Sequence, residues 1–176
     1  MRTSGVLLAL VFASICPMAE GQNCELGDVL RQIPGFHVLK LGERDPDTRA
    51  FLIQHFAKDN PSVVHADFDG DGRPDYALLL KSSTGEAKFV IVLCPESAKL
   101  RTVYDLDVTG SEGQSYLQSV PPGTLVSQTE AIDTGGKVPR VRLRSVGVRA
   151  VDFEKAAVVL YWSSKLHKIE AIQTAD

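Results

Sequence analysis

The chain has 176 residues, a formal net charge of −3, 44% hydrophobic residues and 23% charged residues. Its apolar fraction is too high for a disordered chain, and 22 acidic residues against 19 basic ones disfavour a polybasic nucleic-acid binder. The length is typical of one globular domain. Beyond the N-terminus no apolar run reaches the roughly 18 residues of a membrane-spanning helix, so we predict no span there.

The N-terminal residues have the parts of a secretory signal peptide. Arg2 precedes a ten-residue apolar stretch over 6–15, and small residues precede a cleavage point before Gln22. As a helix this stretch would rise only about 15 Å, which is short of the roughly 30 Å of bilayer hydrocarbon. The alternatives are a buried core helix, a membrane anchor and a lipoprotein anchor at Cys16, where a small preceding residue is missing. We predict a signal peptide over 1–21 and a secreted or periplasmic protein.

Cleavage would leave residues 22–176 as a single domain and remove one of the three cysteines, Cys16. In an oxidising compartment the remaining pair, Cys24 and Cys94, can form a disulfide. The alternative is two separate buried thiols. A bridge would close a loop of about 70 residues and contribute about 4 kcal/mol on the chain-entropy account.

Two helices are predicted before any strand. Residues 25–33 place apolar side chains on one helical face, and Pro34-Gly35 ends that helix. Residues 46–58 form the second predicted helix, with Pro46 in its first turn and either Asp45 or Asp47 as its cap.

The pattern after residue 75 is that of β-strands. Runs rich in branched and aromatic residues predict strands over 76–81, 88–94, 101–108, 123–130, 138–145, 156–162 and 166–172, with turns at 82–86 and 163–165. The sequence therefore predicts an α+β fold, in which two N-terminal helices precede a mainly antiparallel β-sheet.

One acidic loop, over 67–75, carries most of the functional information. Asp67, Asp69, Asp71 and Asp75 occupy positions 1, 3, 5 and 9, and a glycine, Gly72, occupies position 6. Four carboxylates this close repel one another unless a counter-charge is present, and a calcium ion takes six to eight oxygen ligands. We predict a Ca²⁺ site formed by the four aspartates and the backbone carbonyl of Arg73. The alternative is a solvated turn, since Asp and Gly also dominate turns.

The loop lacks the second half of an EF-hand. An EF-hand has a bidentate Glu at position 12, where this chain has Leu78, and a strand is predicted there instead of a helix. The string from Asp67 to Ala77 resembles the calcium loops of FG-GAP and VCBS-type repeats, written D-x-D-G-D-G-x-x-D. That resemblance implies a loop between two β-strands with calcium ligands at Asp67, Asp69, Asp71, Asp75 and the Arg73 backbone.

Only one copy of the loop is present, so the propeller that tandem repeats form is not predicted. The chain also resembles small exported bacterial proteins that carry a single such loop. We expect one calcium ion that tethers a helix-to-strand connection. A regulatory or ligand-bridging ion is the other interpretation.

No catalytic residues are predicted, because no nucleophile elbow, zinc motif or nucleotide loop is present. We interpret His65 as a strand side chain, although it precedes the acidic loop, and the pair Tyr161-Trp162 as core packing rather than a carbohydrate platform. The residues Arg140, Arg142 and Arg144 alternate with apolar ones and share one strand face. That face is either solvated or an interaction surface.

Three functions follow from these observations. The first is an exported, non-catalytic calcium-binding protein. The second is a secreted interaction module or inhibitor that binds a protein partner through the arginine face. The third is an enzyme with a calcium-supported site.

Overall fold

The computed structural model describes residues 24–56, 60–96, 99–129 and 138–175. The predicted signal peptide lies outside these ranges, as does the end of the second predicted helix, at 57–58. No helix in the described ranges has the length and hydropathy needed to cross a membrane.

The described residues form a mostly antiparallel β-structure with two α-helices. The helices are α1 (Leu26–Gln32) and α2 (Pro46–His55), and single 3₁₀ turns cover Leu41–Glu43 and Glu112–Gln114. The strands are β1 (Phe36–Val38), β2 (Val63–Ala66), β3 (Asp75–Ser82), β4 (Ala87–Leu93), β5 (Arg101–Asp107), β6 (Ser115–Val120), β7 (Leu125–Ser127), β8 (Arg140–Arg142), β9 (Gly147–Asp152), β10 (Ala156–Ser163) and β11 (Lys168–Ala175).

The strands form three sheets. In the first sheet β3 pairs with β4, which pairs with β5, while β1 and β2 share the other edge of β3. The second sheet has the order β11-β10-β9-β6, and β7 and β8 form a two-stranded third sheet. All the described strand pairs are antiparallel.

The central strands β3 and β4 of the first sheet are buried on both faces, which explains the unbroken apolar run of β3. Because side chains alternate along a strand, Ala77 and Leu79 pack against the second sheet, whereas Leu78 and Leu80 pack with Val29 of α1. Each fully buried leucine or valine side chain stabilises the fold by about 1.5–3 kcal/mol. A third apolar cluster joins the outer face of the second sheet to β7 and β8.

A disulfide joins Cys24 to Cys94, as predicted. Their Cα atoms are 5.9 Å apart, within the range that a bridge spans. The bond connects the residue before the N-cap of α1 to the residue that follows β4, so it holds the helix against the first sheet.

Both predicted helices are present, but the order of elements differs from the prediction. The strand β1 lies between α1 and α2 and pairs with β3, so the sheet begins before the second helix. The strands β2, β6 and β9 were not predicted, because they mix polar with apolar residues or are too short to show a period. The strands predicted over 123–130 and 138–145 are shorter than expected, with β7 and β8 spanning three residues each.

Candidate metal centre

The acidic loop connects β2 to β3. These strands pair antiparallel, with Ala66 opposite Asp75, so residues 67–74 form the loop of a hairpin. The expected helix-to-strand connection is therefore wrong, because the strand β2 was not predicted. The pairing of β2 with β3 therefore holds the two ends of the loop next to each other.

Two glycines allow the loop to turn sharply. Gly70 has φ +83° and Gly72 has φ +86°, a left-handed conformation that glycine adopts without steric strain. The role predicted for Gly72 is confirmed, and Gly70 contributes a second such turn. The alternation of aspartate with these glycines folds the loop back on itself.

Backbone N–H groups orient the first three carboxylates. Asp67 accepts hydrogen bonds from the N–H of Gly70 at 2.7 Å and of Gly72 at 2.9 Å. The N–H of Asp71 donates to Asp69 at 3.1 Å, and the N–H of Arg73 donates to Asp71 at 2.8 Å. These bonds restrict the orientation of the three side chains, as hydrogen bonds in Asx turns do.

The three carboxylates Asp67, Asp69 and Asp71 lie together. Each offers an oxygen within 4.8 Å of the others, and the group can hold a metal ion. Burial, and then the negative charges of Asp71 and Asp67, raise the pKa of Asp69. In the described ranges no lysine or arginine forms an ion pair with these three side chains. The positive charge of Arg101 partly offsets these effects on the pKa of Asp69, so the group carries concentrated negative charge that no ion pair in the described ranges neutralises.

Asp75, the last aspartate of the loop, is buried. Its Oδ2 accepts the N–H of Phe68 at 2.9 Å, and its Oδ1 accepts the N–H of Cys94 at 2.8 Å. Burial raises the pKa of Asp75 to about 6 despite these two hydrogen bonds. The carboxylate thus connects the start of the loop to the end of β4, and its predicted role as a metal ligand stays a prediction.

Arg73 contributes to the loop through its backbone. Besides the N–H bond to Asp71, its guanidinium lies 3.7 Å from the carboxylate of Glu96, an exposed residue. The carboxylate in this ion pair is that of Glu96, which is not one of the three clustered carboxylates. The predicted metal contact of the Arg73 carbonyl stays a prediction.

Phe68 anchors the loop in the core and was missed by the sequence analysis. Its side chain is buried in the cluster between the two large sheets, and its carbonyl accepts a hydrogen bond from the hydroxyl of Ser145. The carbonyl of Asp67 accepts the N–H of Val146 at 3.3 Å. An aromatic residue between two aspartates was the available signal, because a fully solvated turn has no need of one.

The other candidate residues are not members of the three-carboxylate group. His65 is a strand side chain of β2, as predicted, and its ring stacks on Tyr76 at 4.3 Å. The exposed residues Arg140, Arg142 and Arg144 alternate with less exposed ones, although Arg144 lies beyond the end of β8. Both Tyr161 and Trp162 are half-buried and pack against apolar clusters.

Comparisons with protein-family models, with curated proteins and with solved structures found no match to this chain. The chemistry of the site is therefore the basis for assigning a function.

Proposed function

We propose that this protein binds one calcium ion in the acidic loop and that it is a non-catalytic, exported domain. The observation that carries the proposal is the grouping of Asp67, Asp69 and Asp71, whose oxygens lie within 4.8 Å of one another. Backbone hydrogen bonds already hold these side chains in place, so little conformational entropy remains to be lost on binding.

The donor atoms favour calcium over other common metals. The group supplies carboxylate oxygens and no histidine or cysteine, which is the hard donor set of Ca²⁺, Mg²⁺ and Mn²⁺. Calcium accepts six to eight oxygens in irregular geometry, whereas magnesium requires a near-ideal octahedron and retains its waters. A short loop that presents several carboxylates to one point suits the calcium requirement better.

Further ligands would come from the same loop. In the proposed site the carbonyl of Arg73 supplies a fourth oxygen, Asp75 contributes directly or through water, and water completes the shell. This ligand set is the one implied by the resemblance to FG-GAP and VCBS-type loops. Both oxygens of Asp75 already accept backbone N–H bonds, and each retains a lone pair for a further partner.

The proposed ion has a structural role. It would neutralise the repulsion among the carboxylates and hold the β2–β3 loop closed over Phe68, which is in the main core. A ligand that binds the folded but not the unfolded chain stabilises the fold according to its concentration relative to its Kd. Calcium-rich surroundings outside the cell would suit even a weak site. The signal-like N-terminus and the cysteine pair support this proposed location.

Calorimetric titration tests the proposal. Wild-type protein freed of metal with a chelator is expected to bind one Ca²⁺ per chain, and Asp71→Ala is expected to lower the affinity at least tenfold. The matched control is Asp105→Ala, which removes an exposed carboxylate from β5, outside the loop. If wild type gives no heat and no rise in Tm at millimolar calcium, the proposed function is refuted.

A further inference from the structure

A cavity of about 280 Å³ lies between the two large sheets. Its walls come from β3, β4 and β5 on one side and from β6, β9, β10 and β11 on the other, and none of the three clustered aspartates lines it. Protein interiors are close-packed, and voids larger than a water molecule are few. Space of this size in a small domain is therefore a feature that packing alone does not explain.

The side chains that line the cavity are mainly apolar. Leu79 and Phe89 of the first sheet and Ala150 of the second line it, and all three belong to the core cluster that joins the sheets. Two hydroxyls of the lining, those of Ser111 and Ser115, already donate to backbone carbonyls. Concave, mainly apolar sites are the usual form of small-molecule binding sites.

The lining favours a neutral ligand over a charged one. Among the described residues no lysine, arginine or histidine lines the cavity, so an anionic head group would find no cation there. Asp152 lines it, but its Oδ1 is shielded from solvent and its Oδ2 lies 3.8 Å from Nζ of Lys155. A charged head group would therefore lose its hydration without gaining a partner, which costs free energy.

The edge of the first sheet gives a route into the cavity. The outer strand there is β5, and Leu106 lies directly opposite Phe89 in its pairing with β4. Paired residues share a face, so Leu106 is on the side of the sheet that faces the second sheet. It lines the cavity and is nevertheless 46% exposed. Leu106 therefore marks the mouth of the cavity.

We propose that this cavity binds a small, neutral, mainly apolar molecule that enters beside Leu106. An engineered apolar cavity of about 150 Å³ in another protein accepts benzene, so 280 Å³ has room for roughly ten non-hydrogen atoms. Octan-1-ol, with eight carbons and one oxygen, fits this limit. The proposal is independent of the calcium site and requires none of its residues.

Calorimetric titration of the full chain at pH 7 with three probes of equal chain length tests the proposal. Octan-1-ol is neutral, octanoate is negative and octylammonium is positive. Octan-1-ol is expected to bind at one site, at least tenfold more tightly than either charged probe. Hexan-1-ol is expected to bind at least fivefold more weakly than octan-1-ol, because each buried methylene contributes roughly three- to fourfold in affinity.

Two matched variants locate the bound probe. Leu106→Asn places a polar side chain of similar size at the mouth and is expected to weaken octan-1-ol binding at least fivefold. Leu125→Asn makes the same change at a leucine of β7 that is 53% exposed and does not line the cavity, so octan-1-ol affinity is expected to stay within twofold of wild type.

A third variant reduces the volume of the cavity. Ala150→Leu fills part of the space between the sheets and is expected to weaken octan-1-ol binding at least tenfold; if it does not fold, the two leucine variants still decide. Absence of octan-1-ol binding to wild type at millimolar concentration, equal affinity for either charged probe, or equal affinity of Leu106→Asn and Leu125→Asn would overturn the proposal.

Discussion

The carboxylate of Asp75 accepts a hydrogen bond from the backbone N–H of Cys94 at 2.8 Å. Through this bond the last residue of the acidic loop contacts the cysteine that the disulfide joins to Cys24. The other oxygen of the same carboxylate holds the N–H of Phe68, so one buried side chain connects the loop, the core and the disulfide.

The first prediction concerns the buried carboxylate. Asp75→Asn presents an amide NH₂ to one of the two backbone N–H groups, because an amide has only one acceptor oxygen. We expect the metal-free protein to lose about 1–3 kcal/mol of unfolding free energy, the usual cost of leaving a buried donor unsatisfied. Urea unfolding of the variant and of wild type in the presence of a chelator measures this loss of unfolding free energy.

The matched control for that variant is Asp71→Asn. Its amide oxygen can still accept the N–H of Arg73, and the loss of one charge relieves repulsion with Asp69, so metal-free stability is not expected to fall. Equal stability of Asp75→Asn and wild type would show that the two buried hydrogen bonds are not needed.

The second prediction concerns the disulfide. Thiol labelling of the unreduced, unfolded chain of 176 residues is expected to modify Cys16 alone, and reduction is expected to add two labels. Cys24→Ser should lower the free energy of unfolding by about 2–5 kcal/mol. Labelling of Cys24 or Cys94 without reductant would contradict the pairing.

The third prediction concerns the anchor of the loop. Phe68→Ala removes a buried aromatic side chain and is expected to cost about 3–5 kcal/mol of stability. Since the same residue positions the loop, calcium affinity is expected to fall with it. Ile53→Ala, which truncates an exposed side chain of α2, is the control and should change stability by less than about 0.5 kcal/mol. Similar losses in both variants would argue against an anchoring role.

The fourth prediction concerns pH. Burial alone would raise the pKa of Glu112, but hydrogen bonds from Lys81, at 2.9 Å, and from backbone N–H groups hold that pKa below its ordinary value of 4.5. A lowered carboxylate pKa stabilises the fold above pH 4.5, and this contribution is lost as the pH falls through the lowered value.

Unfolding of Glu112→Gln across pH measures this effect. The variant is expected to be about 1 kcal/mol less stable than wild type at pH 7, since the charge-assisted bonds are lost, and the difference should shrink progressively below pH 4.5. Glu96→Gln, which removes the exposed carboxylate that faces Arg73, is expected to match wild type. A difference that stays constant down to pH 2 would exclude the ionised carboxylate as its source.

The sequence predicted the parts of the fold that local patterns specify. The helix face around Val29 stands out by its helical period, and β3 and β4 stand out as continuous apolar runs. The short strand β2 has no such pattern, and it forms because β3 supplies its hydrogen-bond partners. The position of the loop was misjudged for that reason.

In the candidate site too, local sequence patterns predicted some features, whereas others depend on contacts between residues distant in sequence. The spacing of Asp67, Asp69 and Asp71 predicted their convergence, because each is two residues from the next across a turn. The burial of Asp75 was not predictable, since one of its two donors is the N–H of Cys94, which is 19 residues away in sequence. Long-range contacts of this kind depend on how β3 and β4 pair.

The position of a bound ion is the most direct test of the calcium proposal. Crystals of the protein grown with calcium, measured for anomalous scattering, are expected to show one ion among Asp67, Asp69 and Asp71, with oxygen ligands at about 2.3–2.6 Å. A loop that contains no ion at millimolar calcium, or an ion found only elsewhere on the protein, would contradict the proposal.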